Sequence, residues 1–216
     1  MFAKFLKSIR SDQSQDEPLR WIVLDVETTG LDPASDRLLA IAAIAIQVGP
    51  GFTKPAIVLG DSYEAVIKQD LASDRDNILI HHIGVGAQES GSPANEALEQ
   101  FRKWVGDAPL LAFHAPFDMG MINRAYQYYG LAPLKNEWID IEPLAAITGG
   151  HPKAKALDDW LHFFGLECAA VRHQAASDTL ATCELLLRLW GGIKKEARSF
   201  QELKNLAKQG AWIPRG

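Results

Sequence analysis

In Leu24-Asp25-Val26-Glu27-Thr28-Thr29-Gly30-Leu31 two carboxylates break an otherwise apolar run, and a turn follows at once. Upstream, Trp21-Ile22-Val23-Leu24 is β-branched and apolar, which predicts a buried strand starting near Arg20. A charge in such a strand is expensive without a partner. Residues i and i+2 of a strand project from one face, about 6.5 to 7 Å apart at the backbone. Asp25 and Glu27 can therefore both reach toward a pair of cations about 3.5 to 4 Å apart.

Acid-x-acid recurs at Asp74/Asp76 and Asp140/Glu142, and context separates the three. Ser73-Asp74-Arg75-Asp76-Asn77 is polar throughout and reads as a solvated loop. Asp140/Glu142 stands at a strand end before Pro143, where capping the next helix is the common role.

Two further segments carry chemistry-bearing residues. Pro109 to Phe113 reads as an apolar strand that runs through His114-Ala115-Pro116 into a helix expected from near Phe117 to near Gly130. Asp118 then stands in the first helical turn, where the helix dipole favours an anion. His173-Gln174-Ala175-Ala176-Ser177-Asp178 leads into the helical pattern 176–190. At about 100° per residue, five positions separate two side chains by about 140°, so His173 must precede the helix if it shares a site with Asp178.

Working outward, Leu38 to Val48 and Ile57 to Ile67 read as two more strands in meander order. Residues 68–91 are turn-rich and polar around His81 and His82, and Ser92-Pro93 is expected to cap a helix with Ala97, Leu98, Phe101, Trp104 and Val105 on one face. Asn136 to Ile141 reads as a fifth strand, with helical patterns over 142–147 and 156–164. Three antiparallel strands followed by alternating helices and strands predict an α/β fold: a ribonuclease H-like mixed five-stranded sheet with helices on both faces.

Asp25, Glu27, Thr28 and Gly30, then Phe117 and Asp118, then His173, Ala175 and Asp178 follow the order and spacing of three exonuclease motifs. Over about Arg20 to Trp190 the chain resembles the DnaQ-like DEDDh family, which includes the proofreading epsilon subunit of bacterial DNA polymerase III, oligoribonuclease and ribonuclease T. The resemblance implies a 3′ to 5′ exonuclease in which Asp25, Glu27, Asp118 and Asp178 bind two divalent cations, Mg²⁺ or Mn²⁺, and His173 is the general base. It gives Thr28 a contact with the terminal nucleotide, places an apolar wedge at Leu31 and puts His82 near that nucleotide. His114 departs from the family's usual Asn four residues before the motif Asp, which bears on how the site is oriented. Phe113 and Phe117 are candidates for stacking on unpaired bases, or are core.

Nucleic acid with a single-stranded or frayed 3′ end is the implied substrate, DNA before RNA, with a polymerase or repair complex as a partner. The alternatives are an RNA-trimming exoribonuclease, an endonuclease on the same scaffold, and a non-catalytic polymerase-associated module. With 216 residues, 47% hydrophobic, the chain has material for one core. The expected division is an N-terminal helix and linker over 1–18, the exonuclease domain over 19–192, and a basic extension over 193–216 in which Lys194, Lys195, Arg198, Lys204, Lys208 and Arg215 outnumber Glu196 and Glu202. The formal charge of -5 argues against nonspecific coating of nucleic acid. No run reaches the roughly 20 apolar residues of a membrane span. Cys168 and Cys183 have no second pair and are expected as reduced thiols in a cytoplasmic protein.

Overall fold

The structure, a computed structural model, describes residues 17, 19–151, 154–166 and 174–212. The first helix expected over 1–10 lies outside them, as do Cys168 and His173. The chain forms β1 (Arg20–Thr28), β2 (Leu38–Gln47) and β3 (Ala56–Val66), then α1 (Arg75–His81), α2 (Val85–Glu89) and α3 (Ala94–Val105). It continues through β4 (Leu110–Ala112), α4 (Ala115–Tyr128), β5 (Trp138–Asp140), α5 (Ile141–Thr148), α6 (Leu157–Phe164), α7 (Ala175–Glu196) and α8 (Phe200–Gly210). The five strands lie in the order β3-β2-β1-β4-β5. β1 pairs antiparallel with β2 and β2 with β3, while β1 with β4 and β4 with β5 run parallel.

The alternation of β1 divides the interior. Ile22, Leu24 and Val26 pack with α3 and α4 on one face of the sheet, and Trp21 and Val23 with α5 to α8 on the other. β2 is buried on both faces and accordingly reads as an unbroken apolar run. β3, at the edge, is largely exposed. Among the described residues no helix is long and apolar enough to cross a membrane.

Three local expectations need correction. Residues 68–91, read as turns, hold the short helices α1 and α2, whose seven and five residues are too few to show a period. Ser92 does not cap α3: Pro93 holds that position, and the Ser92 backbone is bridged to Val66 and Lys68 beside β3. α4 starts at Ala115, two residues before the expected Phe117.

The boundary set at 192 falls inside α7, and residues 193–210 are built into the core. The Trp21 ring lies 5.4 Å from Phe200, 5.8 Å from Phe52 and 5.9 Å from Trp190. Ile193, Ala197 and Leu203 are fully buried. Lys204, expected in a basic tail, pairs with Glu137 at 2.6 Å. Truncation after Gly192 should therefore prevent folding. Phe200→Ala should cost about 3 kcal/mol in urea denaturation; a change under about 0.5 kcal/mol, the level of a surface substitution, would show the segment to be peripheral.

Candidate active site

The odd positions of β1 start apolar and end acidic. Because Asp25 and Glu27 share the parity of Trp21 and Val23, both carboxylates leave the sheet on the α7 side, half-buried. Asp25 stands opposite Ala42 of β2. The buried Thr179 hydroxyl donates to that Ala42 carbonyl at 3.1 Å. This bond seats the first turn of α7 over Asp25 and brings the buried Asp178 to the same end of the sheet.

Asp118 arrives from the other side through the end of β4. The Ile22 N–H donates to Pro109 at 2.9 Å, so the even N–H groups of β1 point toward β4. β4 stops at Ala112 and its pairing with β1 reaches only Val23. The Val26 N–H, beyond that pairing, donates to the Asp118 carboxylate. Asp118 is buried at 4% exposure. Its pKa is held well above the usual carboxylate range, first by burial and then by the charge of Asp25, with a smaller push from Asp140; the N–H groups of Asp118 and Val26 act in the opposite sense.

The structure thus sets Asp118 within reach of the Asp25 charge and Glu27 and Asp178 at the same sheet end, although no three His, Cys, Asp or Glu among the described residues form a ready metal cluster. The donor set fits a hard dication: carboxylate oxygens, one of them buried against a like charge that a cation would relieve. His173 lies outside the described residues, and its neighbour Gln174 is the N-cap of α7.

The other acid-x-acid pairs have structural places. Asp140 is the N-cap of α5, accepting from Glu142 N at 3.1 Å and from His114 N at 3.0 Å. Asp74 is the N-cap position of α1 and Asp76 lies in its first turn.

Of the residues given substrate contacts, Leu31 is 86% exposed at the tip of the β1–β2 loop, and His82 is exposed at the end of α1 with φ 59°. The buried Thr28 donates its hydroxyl to Gly30 O at 2.7 Å. His114, exposed at the N-cap of α4, has φ 64° and ψ 43°. Asn and His both enter that left-handed region more readily than most residues, so His114 can keep the backbone that the usual Asn would take. The Phe117 ring packs partly into the α3–α4 core and Phe113 into the opposite one, so both serve packing.

A buried polar chain, expected from composition to be loop surface, reaches the site from behind. Where the β1–β2 register slips after Glu27, the Thr28 carbonyl accepts from Asn77 Nδ2 at 3.0 Å. Asn77 Oδ1 lies 2.7 Å from His81 Nε2. His81 Nδ1 accepts from Ile83 N at 2.9 Å, so the ring proton is assigned to Nε2, which donates to Asn77. Ser73 and Gln88, hydrogen-bonded to each other, close the chain. His81 is 1% exposed, and burial lowers its pKa. The signal available in the sequence was the i, i+4 spacing of Asn77 and His81.

A family profile described as an exonuclease matches residues 22–186. Among relatives, the PolC-type DNA polymerase III of Listeria innocua is 32% identical over 173 residues, which are 80% of this chain and 11% of that protein. The PolC-type polymerase of Staphylococcus aureus is 28% identical over 169 residues, 78% of this chain and 11% of that one. The chain thus spans about a tenth of the length of these relatives. Among solved structures, cell-death related nuclease 4 superposes with a TM-score of 0.70 at 15% identity, over 85% of this chain and 66% of that one. Escherichia coli exonuclease I with a dT13 oligonucleotide gives 0.66 at 17%, over 82% and 42%. Exonuclease X with 5′ overhanging duplex DNA gives 0.62 at 17%, over 87% and 99%. At these identities the superpositions speak for the fold.

The geometry has two consequences for stability. The raised pKa of Asp118 means that ionising it costs folding energy as pH rises from the unfolded value near 4 through the folded one. In chelator, Asp118→Asn should therefore be more stable than the parent at pH 7, and the gap should close as pH falls toward about 4; a pH-independent gap would contradict the burial argument. Asn77→Ala removes the donor to the Thr28 carbonyl and leaves His81 Nε2 only Ser73 Oγ at 3.3 Å, and should cost about 1 to 3 kcal/mol, whereas a loss below about 0.5 kcal/mol would mean that water substitutes freely.

A profile match over most of the chain, with the predicted five-stranded fold beneath it, shows that the chain belongs to the DnaQ-like exonuclease family.

Proposed function

We propose that this chain removes nucleotides one at a time from the 3′ end of single-stranded or frayed DNA, using two divalent cations, Mg²⁺ or Mn²⁺. The observation that carries the reading is the pairing of buried Asp118 with Asp25 at the end of β1, a like-charge contact that a cation would convert from cost to gain. Asp25, Glu27, Asp118 and Asp178 would hold the metals. Once bound, such a pair lowers the pKa of a water and neutralises charge on the phosphate. Proton removal from the attacking water falls to His173, whose unperturbed titration is close to neutrality. The exposed Leu31 would part the terminal base from its neighbour, with Thr28 and His82 bordering the terminal nucleotide.

DNA is favoured because the relatives are DNA polymerases and two of the superposed nucleases were solved with DNA. Association with a polymerase or repair complex fits the same relatives, in which the matched region is a small part of a long chain.

The test is degradation of 5′-labelled DNA and RNA strands of matched sequence, single- and double-stranded, in Mg²⁺, Mn²⁺ or chelator. A ladder shortening from the 3′ end, abolished by chelator and by Asp25→Ala in a folded protein, is the expected result. Internal cuts, or an Asp25→Ala variant as fast as the parent, would refute it. A faster ladder on RNA would move the substrate assignment to exoribonuclease.

A further inference from the structure

A second cleft lies on the α4 side of the β1–β2 loop, apart from the carboxylates. Its volume is about 260 Å³, and its walls are residues 35–38 of the loop and β2, 67–70 beyond β3, and the face of α4 from Met121 to Tyr129. That is below the roughly 300 Å³ at which small-molecule pockets begin, so the space suits one unit of a longer ligand.

Three cations line it: Arg37, Lys68 and Arg124. Two acids share the lining, Asp36 and Asp70, and Asp36 is committed to the Thr29 hydroxyl at 2.8 Å and the Asp32 N–H at 2.8 Å. Arg37 and Arg124 brace the loop through Nη1, to Leu71 O at 2.8 Å and to Pro33 O and Asp36 O at 3.0 and 2.8 Å. A guanidinium carries five N–H donors, so this bracing does not exhaust either group. At the rim, Tyr128 is 79% exposed and Tyr129 is 43% exposed, with rings edge to face at 5.0 Å. Exposed aromatics beside a basic groove are what an unpaired strand needs: a surface for its bases and charge for its phosphates.

The position joins the cleft to the proposed site. α4 carries Asp118 at one end and the cleft on its later turns; at 1.5 Å per residue, Arg124 lies about 9 Å and Tyr128 about 15 Å along the axis from Asp118. At about 3.4 Å per stacked nucleotide, that interval is about three to four nucleotides. The other wall is the loop whose tip is Leu31.

We propose that this cleft is a strand-binding subsite for the third and fourth nucleotides from the 3′ end, with a base stacked on Tyr128 and phosphates facing Lys68 and the free donors of Arg37 and Arg124. The proposal rests on the nucleic-acid reading of the carboxylate site and deepens it. It makes the protein a length-sensing enzyme: a strand too short to reach Tyr128 forfeits the contact.

The test is fluorescence anisotropy of 5′-labelled oligothymidylates of two to eight nucleotides with the full chain in chelator, so that no strand is cut. Affinity should rise between two and about five nucleotides. Tyr128→Ala, which removes an exposed side chain, should lower affinity for the longer strands about tenfold and leave the dinucleotide unchanged, with Lys68→Glu acting likewise. Hydrolysis of the nitrophenyl ester of thymidine monophosphate should match the parent in both variants. An identical length dependence in parent and variants overturns the proposal, as does equal competition by an acidic peptide of the same charge. If the longer strands bind as described but no strand is ever shortened, the exonuclease reading fails and the subsite stands. If strands are shortened but affinity ignores length, the subsite fails alone.

Discussion

Everything at the working end of this molecule depends on a strand that stops early. β1 has nine residues and β4 three, so the far end of β1 presents N–H groups to an edge where no strand continues. An unpaired buried N–H is costly, and the carboxylate of Asp118 takes the one at Val26. The solution creates its own debt. Hydrogen bonds to a charged acceptor contribute about 1.5 to 3 kcal/mol each, whereas withdrawing a carboxylate from water costs several kcal/mol, and the charge of Asp25 adds to that cost. The upward shift of Asp118 shows which side wins in the protein alone. A cation bound as proposed would reverse the sign of the Asp25 contribution, so the geometry that strains the protein alone would favour the loaded site.

The placement of Asp178 is settled further away. α7 touches β1 and β2 at two anchor points: Trp190 on Trp21, and Thr179 on the carbonyl opposite Asp25. Between the anchors the helix advances eleven residues, about 16 Å, and the strand four, about 13 Å. With both ends tied the helix cannot slide without breaking one anchor. Phe200 and Phe52 pack on the same Trp21. The last helix thereby belongs to the site's support although it stands far from it along the chain.

What could be read beforehand divides along the same physical lines. The five strands, the antiparallel start of the sheet and the apolar stripe of α3 follow from hydrophobic period, which is local and strong. Asp25 and Glu27 were legible because charge inside an apolar strand is rare enough to need a reason. Residues 68–91 were not, since Asn77, His81, Ser73 and Gln88 satisfy one another only after the chain folds back, and a polar composition reads the same whether water or neighbours supply the bonds. Nor was the core role of 193–210. Its lysines dominate the count, while Phe200, Leu203 and Leu206 occupy one face of α8 and carry the packing.

The two polar attachments around Glu27 belong together. On one side of it the Val26 N–H is held by Asp118, and on the other the Thr28 carbonyl is held by Asn77. Between those points the register with β2 slips: Glu27 pairs with Ala40 and Thr28 with Leu38, so the extra residue, Leu39, lies on β2. The strand that carries the proposed metal ligand stays regular through the slip, and the bulge falls on its partner. One attachment comes from α4 and the other from α1, so two helices add to the ladder in holding the backbone on either side of Glu27. The acidic end of β1 is thus braced by its ladder with β2, by the helix after β4 and by the segment between β3 and α3.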